Sequence, residues 1–138
     1  MKRLAVLFLS LWSAAVCGAD LLPPEKAFGA TAQRIDANTV ALRYVIAPGY
    51  YLYKEKFSFA TNTKNADSTK RLKPVLPPGK MKQDPYFGRV EIYRDTLTIR
   101  LPVQEAGEDQ MIEATSQGCA DVGVCYPPVT QYLRPKRP

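Results

Sequence analysis

Two cysteines near the carboxyl end, Cys119 and Cys125, are the residues of this sequence best suited to covalent chemistry. A thiolate can attack a disulfide, and two nearby thiols can close a disulfide with each other. The 138-residue chain has no histidine, which excludes a Ser-His-Asp triad, a Cys-His nucleophile and a metal site built on imidazole. Its three cysteines are too few for a zinc site made of thiolates alone. Thiol–disulfide chemistry is therefore the first hypothesis for this pair.

The amino-terminal residues predict export. Lys2 and Arg3 precede an apolar run over residues 4–16, and small residues follow up to Ala19. This arrangement is typical of a secretory signal, and the stretch is shorter than the roughly 20 apolar residues that span a bilayer. We expect a signal peptide over residues 1–19, with cleavage after Ala19.

Export leaves Cys119 and Cys125 as a pair in an oxidising compartment, where a disulfide is expected. Cys17 leaves with the signal, unless it is a lipoprotein cysteine, which the bulky Val16 before it disfavours. A bridge that closes a loop of about seven residues contributes about 2.4 kcal/mol of stability in a chain-entropy treatment, and a domain of this size can bury a core without it. The residues alone leave a structural disulfide, a redox-active disulfide and free or metal-binding thiols open.

The charge distribution argues against a nucleic-acid partner. The formal net charge is +6. Removal of residues 1–19 takes away two basic residues and leaves 17 basic and 13 acidic residues, a net charge of +4. Three of the remaining cations lie in residues 134–138, so the rest of the surface is nearly balanced. We interpret 134–138 as an exposed linker and 20–133 as one folded domain. No other apolar run is long enough to cross a membrane.

Alternating apolar and polar residues predict short strands throughout the mature chain. Val40–Ile46 is the clearest strand, and Pro24 at a first helical position predicts one helical turn within Leu22–Phe28. Seven to nine short strands at this spacing favour an all-β fold, an immunoglobulin-like antiparallel β-sandwich. The other strand candidates are Tyr50–Tyr53, Phe57–Thr61, Arg71–Leu76 (at an edge, because of Pro74), Val90–Ile92, Leu97–Val103, Met111–Ser116 and Val129–Leu133, with turns at Asn62–Lys70, Pro77–Gly79 and Ala106–Asp109.

Four segments carry a resemblance to a known family. Residues 118–128, Gly-Cys-Ala-Asp-Val-Gly-Val-Cys-Tyr-Pro-Pro, resemble the active-site loop of the N-terminal periplasmic domain of the thiol:disulfide interchange protein DsbD. Leu22–Phe28 is similar to the family's opening, Gly49–Tyr53 to its tyrosine strand, and Gly88–Asp95 to the segment after its cap loop. The resemblance covers essentially all of residues 20–138, and the cysteine loop is its most specific part.

The resemblance implies an immunoglobulin-like sandwich with the redox cysteine loop at one end, under a cap loop. It implies that Cys125 forms mixed disulfides with partners and that Cys119 resolves them. The cap-loop position is occupied here by Asp84, Pro85, Tyr86, Phe87 and Gly88. The chain departs from family members that have an acidic residue in place of Pro85 and a phenylalanine in place of Tyr86. We expect Tyr86 to shield the sulfurs because of its position in the loop, with Phe87 as the alternative.

Four further residues are expected to line the site by the same resemblance. Tyr51 and Tyr53 lie two apart and share one face of a strand, and Asp121 and Tyr126 flank the cysteines in the loop. An ionised Asp84 or Asp121 would disfavour a nearby thiolate by like-charge repulsion. We therefore expect a sluggish thiol that becomes reactive when a partner displaces the cap.

The family also implies the partners. The electron donor is the thioredoxin-like C-terminal domain of the same full-length protein, and the acceptors are periplasmic disulfide isomerases and a thioredoxin-like cytochrome c maturation protein. By the same resemblance we expect the domain to bind no cofactor: the reversible Cys119–Cys125 disulfide would carry the electrons, and NADPH would act only indirectly upstream. The domain is expected in the periplasm, and the full-length protein in the bacterial inner membrane through a transmembrane domain that this chain lacks.

Two other classes of function fit the residues. The first is a non-enzymatic immunoglobulin-like binding module with a structural disulfide. The second is a metallochaperone that uses the two thiolates, which the absence of histidine and the presence of only three methionines make a weaker hypothesis.

Overall fold

Strands make up most of the chain in the computed structural model, which describes residues 20–63, 69–104 and 110–138. The predicted signal peptide, the turn predicted at Ala106–Asp109 and most of the turn predicted at Asn62–Lys70 lie outside these residues. Within them, no helix is long and apolar enough to cross a membrane. The elements are α1 (Pro24–Ala27), β1 (Phe28–Asp36), β2 (Thr39–Ile46), β3 (Tyr50–Tyr53), a 3-10 turn (Lys54–Lys56), β4 (Ser58–Thr63), β5 (Lys70–Leu72), β6 (Lys80–Asp84), β7 (Gly88–Tyr93), β8 (Thr96–Pro102), β9 (Gln110–Ser116), β10 (Gly118–Ala120), β11 (Val124–Cys125) and β12 (Val129–Leu133).

The strands pair antiparallel in three sheets, with orders β1-β2-β8, β11-β10-β3-β7-β6 and β12-β9-β4-β5. Their inward-facing side chains meet in one main core, which includes Leu42, Tyr44, Phe59, Ile99 and Ile112. This arrangement is the predicted immunoglobulin-like antiparallel β-sandwich, and the prediction of the fold class is confirmed.

The strand count is the part of the prediction that was too low. All eight predicted strands are present, within a few residues, and α1 begins at Pro24 as expected. Four strands were not predicted: β1, β6, β10 and β11. β6 reads Lys-Met-Lys-Gln-Asp and lies at the edge of its sheet, so backbone pairing to β7 defines it and no apolar alternation reveals it.

β3 is buried on both faces, and this property positions the candidate site. Tyr50 and Leu52 pack into the main core, whereas Tyr51 and Tyr53 belong to a second, smaller cluster with Ile92 and Cys119. Successive side chains of a strand point to opposite faces, so one four-residue strand joins the two clusters.

Backbone pairing is also present beyond Leu133, the predicted end of the domain. Lys136 forms an isolated parallel bridge with Gln33 of β1. Its N–H donates to the carbonyl of Ala32, and its carbonyl accepts from the N–H of Arg34. The first residues of the predicted linker are therefore attached to β1, because backbone pairing at a sheet edge needs no apolar signal in the sequence.

We predict that Gly118→Ala destabilises the domain by about 1–3 kcal/mol or more, through overpacking. A Cβ at Gly118 would lie 2.7 Å from Cζ of Phe28 and closer still to the carbonyl oxygen of Tyr51. The matched control is Gly29→Ala, whose added Cβ meets its nearest atom at 3.5 Å, an ordinary contact. Urea unfolding of both variants measures the difference, and equal stability of the two would contradict the packing described at Gly118.

Candidate functional site

A disulfide joins Cys119 and Cys125 directly across the short ladder of β10 and β11. The two Cα atoms are 4.0 Å apart. β10 also pairs with β3, with Cys119 opposite Tyr51. Cys119 is 1% exposed, whereas Cys125 on the edge strand is only partly buried. The two sulfurs of one bridge therefore differ in access to solvent and to a partner.

Tyr51 and Tyr53 connect the disulfide to a buried carboxylate. Their rings pack edge to face at 5.4 Å, and their hydroxyls donate to the same Oδ2 atom of Asp84 at 2.6 and 2.8 Å. The Tyr53 hydroxyl also lies 2.9 Å from Sγ of Cys119 and 3.8 Å from Sγ of Cys125. The structure thus brings the two tyrosines, Asp84 and both cysteines into one cluster.

Asp84 is the last residue of β6 and is 3% exposed, rather than a solvated residue of a cap loop. Its Oδ1 accepts the backbone N–H groups of Tyr86 and Phe87 at 2.8 and 3.0 Å. Burial opposes its ionisation, but four hydrogen bonds outweigh burial and hold the pKa of the carboxyl below its usual value. The hydroxyl of Tyr53 therefore lies between an ionised carboxylate and the sulfur of Cys119.

The tyrosine hydroxyls stay protonated beside this carboxylate. Burial, together with the hydrogen bond to Asp84, raises the pKa of Tyr51 to about 12. Burial and the neighbouring Tyr51 and Asp84 also raise the pKa of Tyr53. Both side chains are consequently hydrogen-bond donors throughout the physiological pH range.

The predicted cap loop is the tight turn between β6 and β7. Asp84 pairs with Gly88 across the hairpin, and Gly88 has a φ of 72°, which glycine adopts at no steric cost. Pro85 is exposed at the tip. A signal for this turn is present in the sequence: Asp, Pro and Gly at these positions favour an Asp side chain that caps the turn.

The two aromatics of the turn make different contacts. The Tyr86 hydroxyl donates to the carbonyl of Gly123 at 2.7 Å, which ties the turn to the cysteine loop. The Phe87 ring packs edge to face on Tyr53 at 5.1 Å. Tyr86 is 58% and Phe87 45% exposed. Tyr86 thus attaches the turn Asp84–Gly88, which we call the cover, to the cysteine loop. Phe87 packs on Tyr53, the tyrosine whose hydroxyl lies next to Sγ of Cys119.

Asp121 begins the turn between β10 and β11, and Arg94 holds it in a bidentate ion pair at 3.0 and 2.8 Å. This hydrogen bonding lowers the pKa of Asp121. The expected repulsion between Asp121 and a thiolate is therefore largely compensated by the guanidinium, whereas Asp84 shares the hydroxyl of Tyr53 with Sγ of Cys119.

Tyr126 does not join the cluster around the sulfurs, although it follows Cys125 in the chain. Its ring packs edge to face on Phe28 at 5.5 Å and lies 6.1 Å from the ring of Tyr50, against the main core. Its hydroxyl donates to the carbonyl of Leu22. The expectation that Tyr126 lines the site is corrected: Tyr126 follows the last residue of β11, and its side chain packs against the main core, whereas Cys125 packs against the smaller cluster.

Three cations over the aromatic rings of the site were not anticipated. Lys56 lies 4.5 Å from the centre of the Phe87 ring, and Lys82 and Arg94 lie 5.2 and 5.1 Å from that of Tyr51. These contacts join residues far apart in sequence, and no local pattern marks them.

Comparisons with known proteins show which family this chain resembles. The family model described as "Thiol:disulfide interchange protein DsbD, N-terminal" matches residues 18–136. A DsbD from Ralstonia nicotianae is 44% identical over 117 residues, which are 83% of this chain and 19% of that protein. The chain thus spans about a fifth of the length of this relative.

Two solved structures are also similar. The reduced N-terminal domain of Neisseria meningitidis DsbD has a TM-score of 0.68 and 39% identity, covering 81% of this chain and 86% of that one. A structure of the complex between the DsbD and PilB N-terminal domains of the same organism also matches. Its TM-score is 0.64 at 37% identity, and the match covers 82% of this chain and 85% of the matched chain.

The fold and the site together define an immunoglobulin-like domain with a cross-strand cysteine pair, the class of redox domain found in thiol:disulfide interchange proteins. Within that class, the chain belongs to the family of DsbD N-terminal domains.

We predict that Asp84→Asn lowers the free energy of unfolding at pH 7 by about 1–3 kcal/mol, because hydrogen bonds to a charged acceptor are lost. The folded-state pKa of Asp84 lies below the unfolded value of about 3.9. Its stabilisation is therefore complete above about pH 4 and is lost as the pH falls through the folded-state pKa. Urea unfolding at pH 7, 5, 4 and 3 measures this, with the exposed Asp20→Asn as control. A gap between wild type and variant that stays constant down to pH 3 would contradict it.

We predict that replacing Tyr86 and Phe87 together with Ala speeds reduction of the disulfide by dithiothreitol about 2- to 10-fold. An aromatic pair contributes about 0.5–1.5 kcal/mol, and losing it eases opening of the cover. The rate is followed under pseudo-first-order conditions, with circular dichroism as the test of folding. Tyr132→Ala, which removes an exposed ring on β12, controls for loss of a surface aromatic. An unchanged rate in the folded double variant would show that the turn does not limit access in solution.

Proposed function

We propose that this domain performs thiol–disulfide exchange in the periplasm through Cys119 and Cys125, as the electron-relay part of a larger membrane reductase. The observation that carries the proposal is the asymmetry of the bridge: Cys125 is accessible at the sheet edge, whereas Cys119 is 1% exposed and lies 2.9 Å from a tyrosine hydroxyl. Exchange requires one sulfur that a partner thiolate can reach and a second sulfur that can leave as a thiolate and return.

Reduction of the domain begins when a partner thiolate attacks Sγ of Cys125. A bond forms between the partner sulfur and Cys125, the Cys119–Cys125 bond breaks, and Cys119 leaves as a thiolate that takes up a proton. The partner's second thiol then attacks the partner sulfur that is bonded to Cys125. This step closes the partner's disulfide and releases Cys125 as a thiol. The partner dithiol has become a disulfide, and two electrons and two protons have passed to this domain.

Tyr53 is placed to stabilise the leaving thiolate of Cys119. Its hydroxyl has one proton, which is donated to Asp84 in the oxidised state. Turning that proton to the sulfur 2.9 Å away leaves Asp84 with donors from Tyr51, Tyr86 and Phe87. The carboxylate therefore tolerates the loss of one donor, and its negative charge afterwards disfavours a persistent thiolate.

The partners we propose are thioredoxin-like proteins. The donor is the thioredoxin-like C-terminal domain of the full-length protein, and the acceptors are periplasmic disulfide isomerases and a thioredoxin-like cytochrome c maturation protein. The related Neisseria meningitidis domain, solved in complex with a PilB N-terminal domain, supports a protein partner. The cysteine pair itself carries the electrons, so no bound cofactor is required, and NADPH acts only upstream.

The chain is proposed to be an exported segment of an inner-membrane protein. We assign residues 1–19 to the signal peptide and begin the redox domain at residue 20. The bridge between Lys136 and Gln33 of β1 supports extending the domain to Lys136.

We predict that Cys119→Ala accumulates a stable mixed disulfide with a thioredoxin-like partner, whereas Cys125→Ala does not. Cys125 remains reachable in the first variant, and no resolving thiol is left to break the adduct. Non-reducing electrophoresis with mass spectrometry of the adduct measures the yield.

The reduction potential of the wild-type bridge is the companion measurement, because structural disulfides lie below about −300 mV. Trapping mainly through Cys119 would reverse the assigned roles. Absence of any adduct, together with a potential in the structural range, would instead favour a binding module with a structural disulfide.

A further inference from the structure

Arg94 connects the cysteine turn to the tyrosine strand. It follows β7 directly, and its guanidinium forms the bidentate pair with Asp121 at 3.0 and 2.8 Å. Nη1 also donates to the carbonyl of Tyr50 at 3.2 Å, and Cζ lies 5.1 Å from the centre of the Tyr51 ring. One side chain thus contacts both the first residue of the turn between the cysteines and the strand on which the sulfurs pack.

We propose that Arg94 is a positioning residue for thiol–disulfide exchange, which holds the turn between Cys119 and Cys125 in place when the bridge is reduced. The inference rests on the proposed function, since it concerns the dithiol state of the same pair. It assigns the Arg94–Asp121 pair a role in the redox equilibrium, beyond a contribution to stability.

The need for such a holder arises from the shortness of β11. Only two residue pairs join β10 to β11, Cys119 with Cys125 and Ala120 with Val124. Once the covalent bond is broken, the edge strand is retained by this ladder, by the core packing and backbone hydrogen bond of Tyr126 on its carboxyl side, and by the turn with its contacts on its amino side. Asp121 is the turn residue that is held by a charged partner, because Arg94 lies beside it across the sheet.

The direction of the effect follows from the effective concentration of the two thiols. Reduction converts the Cys119–Cys125 disulfide to two thiols with two electrons and two protons, while the reductant dithiol, or two glutathione molecules, becomes a disulfide. A turn held by Arg94 keeps the thiols close, which favours re-formation of the bond. Loss of Arg94 lets Cys125 explore more positions and shifts the equilibrium toward the dithiol.

The test is the equilibrium between the domain and glutathione redox buffers, read by alkylation of free thiols and mass spectrometry. Arg94→Gln is expected to shift the equilibrium constant toward the dithiol by about two- to five-fold, the range of a partly exposed ion pair. Asp121→Asn should produce a similar shift, and the double variant no more than the larger single effect. Arg94→Lys should lie between, because it keeps the charge and loses the bidentate geometry.

Lys54→Gln is the matched control. It removes the Lys54–Glu91 ion pair, which has a 2.7 Å contact and similar partial exposure and involves β7, but does not touch the cysteine turn. The control should leave the redox equilibrium unchanged whatever it does to thermal stability. Asp121→Asn tests the same pair with Arg94 in place, should Arg94→Gln fold poorly.

Two results would overturn the inference: wild-type equilibrium constants in the folded Arg94 and Asp121 variants, or an equal shift in Lys54→Gln. A wild-type bridge that resists glutathione at every ratio and exchanges with no thioredoxin-like protein would overturn the proposed function itself, and the inference with it.

Discussion

Burial of β3 on both faces is the constraint on which the rest of the structure depends. Tyr50 and Leu52 anchor the strand in the main core, and Tyr51 and Tyr53 emerge on the other side beneath the cysteines. A shift of one residue in register would exchange the two pairs. The large core therefore fixes the tyrosine pair relative to the sulfurs, and the redox cluster needs little stability of its own.

The second constraint is electrostatic. A buried carboxylate is costly unless it is hydrogen-bonded, and Asp84 receives two tyrosine hydroxyls and two backbone N–H groups. The same contacts close the β6–β7 turn and orient Tyr53 toward Cys119. One side chain thus shapes the cover, positions the hydroxyl next to sulfur and places a negative charge where it opposes a free thiolate. Under the proposed function, this setting favours exchange with a docked partner over reaction with small molecules.

Cover and cysteine turn are also connected to each other. Tyr86 hydrogen-bonds the carbonyl of Gly123, and Arg94 holds Asp121 two residues earlier. Both contacts are on the exposed side of the turn, where hydrogen bonds exchange with water at little cost. Loss of the Tyr86 contact would therefore loosen the turn at Asp84–Gly88 without disturbing the buried strands, which are held by the core.

The sequence by itself was sufficient to predict the class of fold, because period-two alternation and frequent turn residues are local properties. It also pointed to the cysteine pair and, from the basic and apolar start, to export. It predicted neither β6, which pairs through its backbone with few apolar residues, nor the attachment of Lys136 to β1. The side to which Tyr126 turns, the burial of Asp84 and the pairing of Arg94 with Asp121 were decided only by the tertiary structure. These features join residues 27 to 98 positions apart, and the register between strands that brings them together is set by the packing of the whole core.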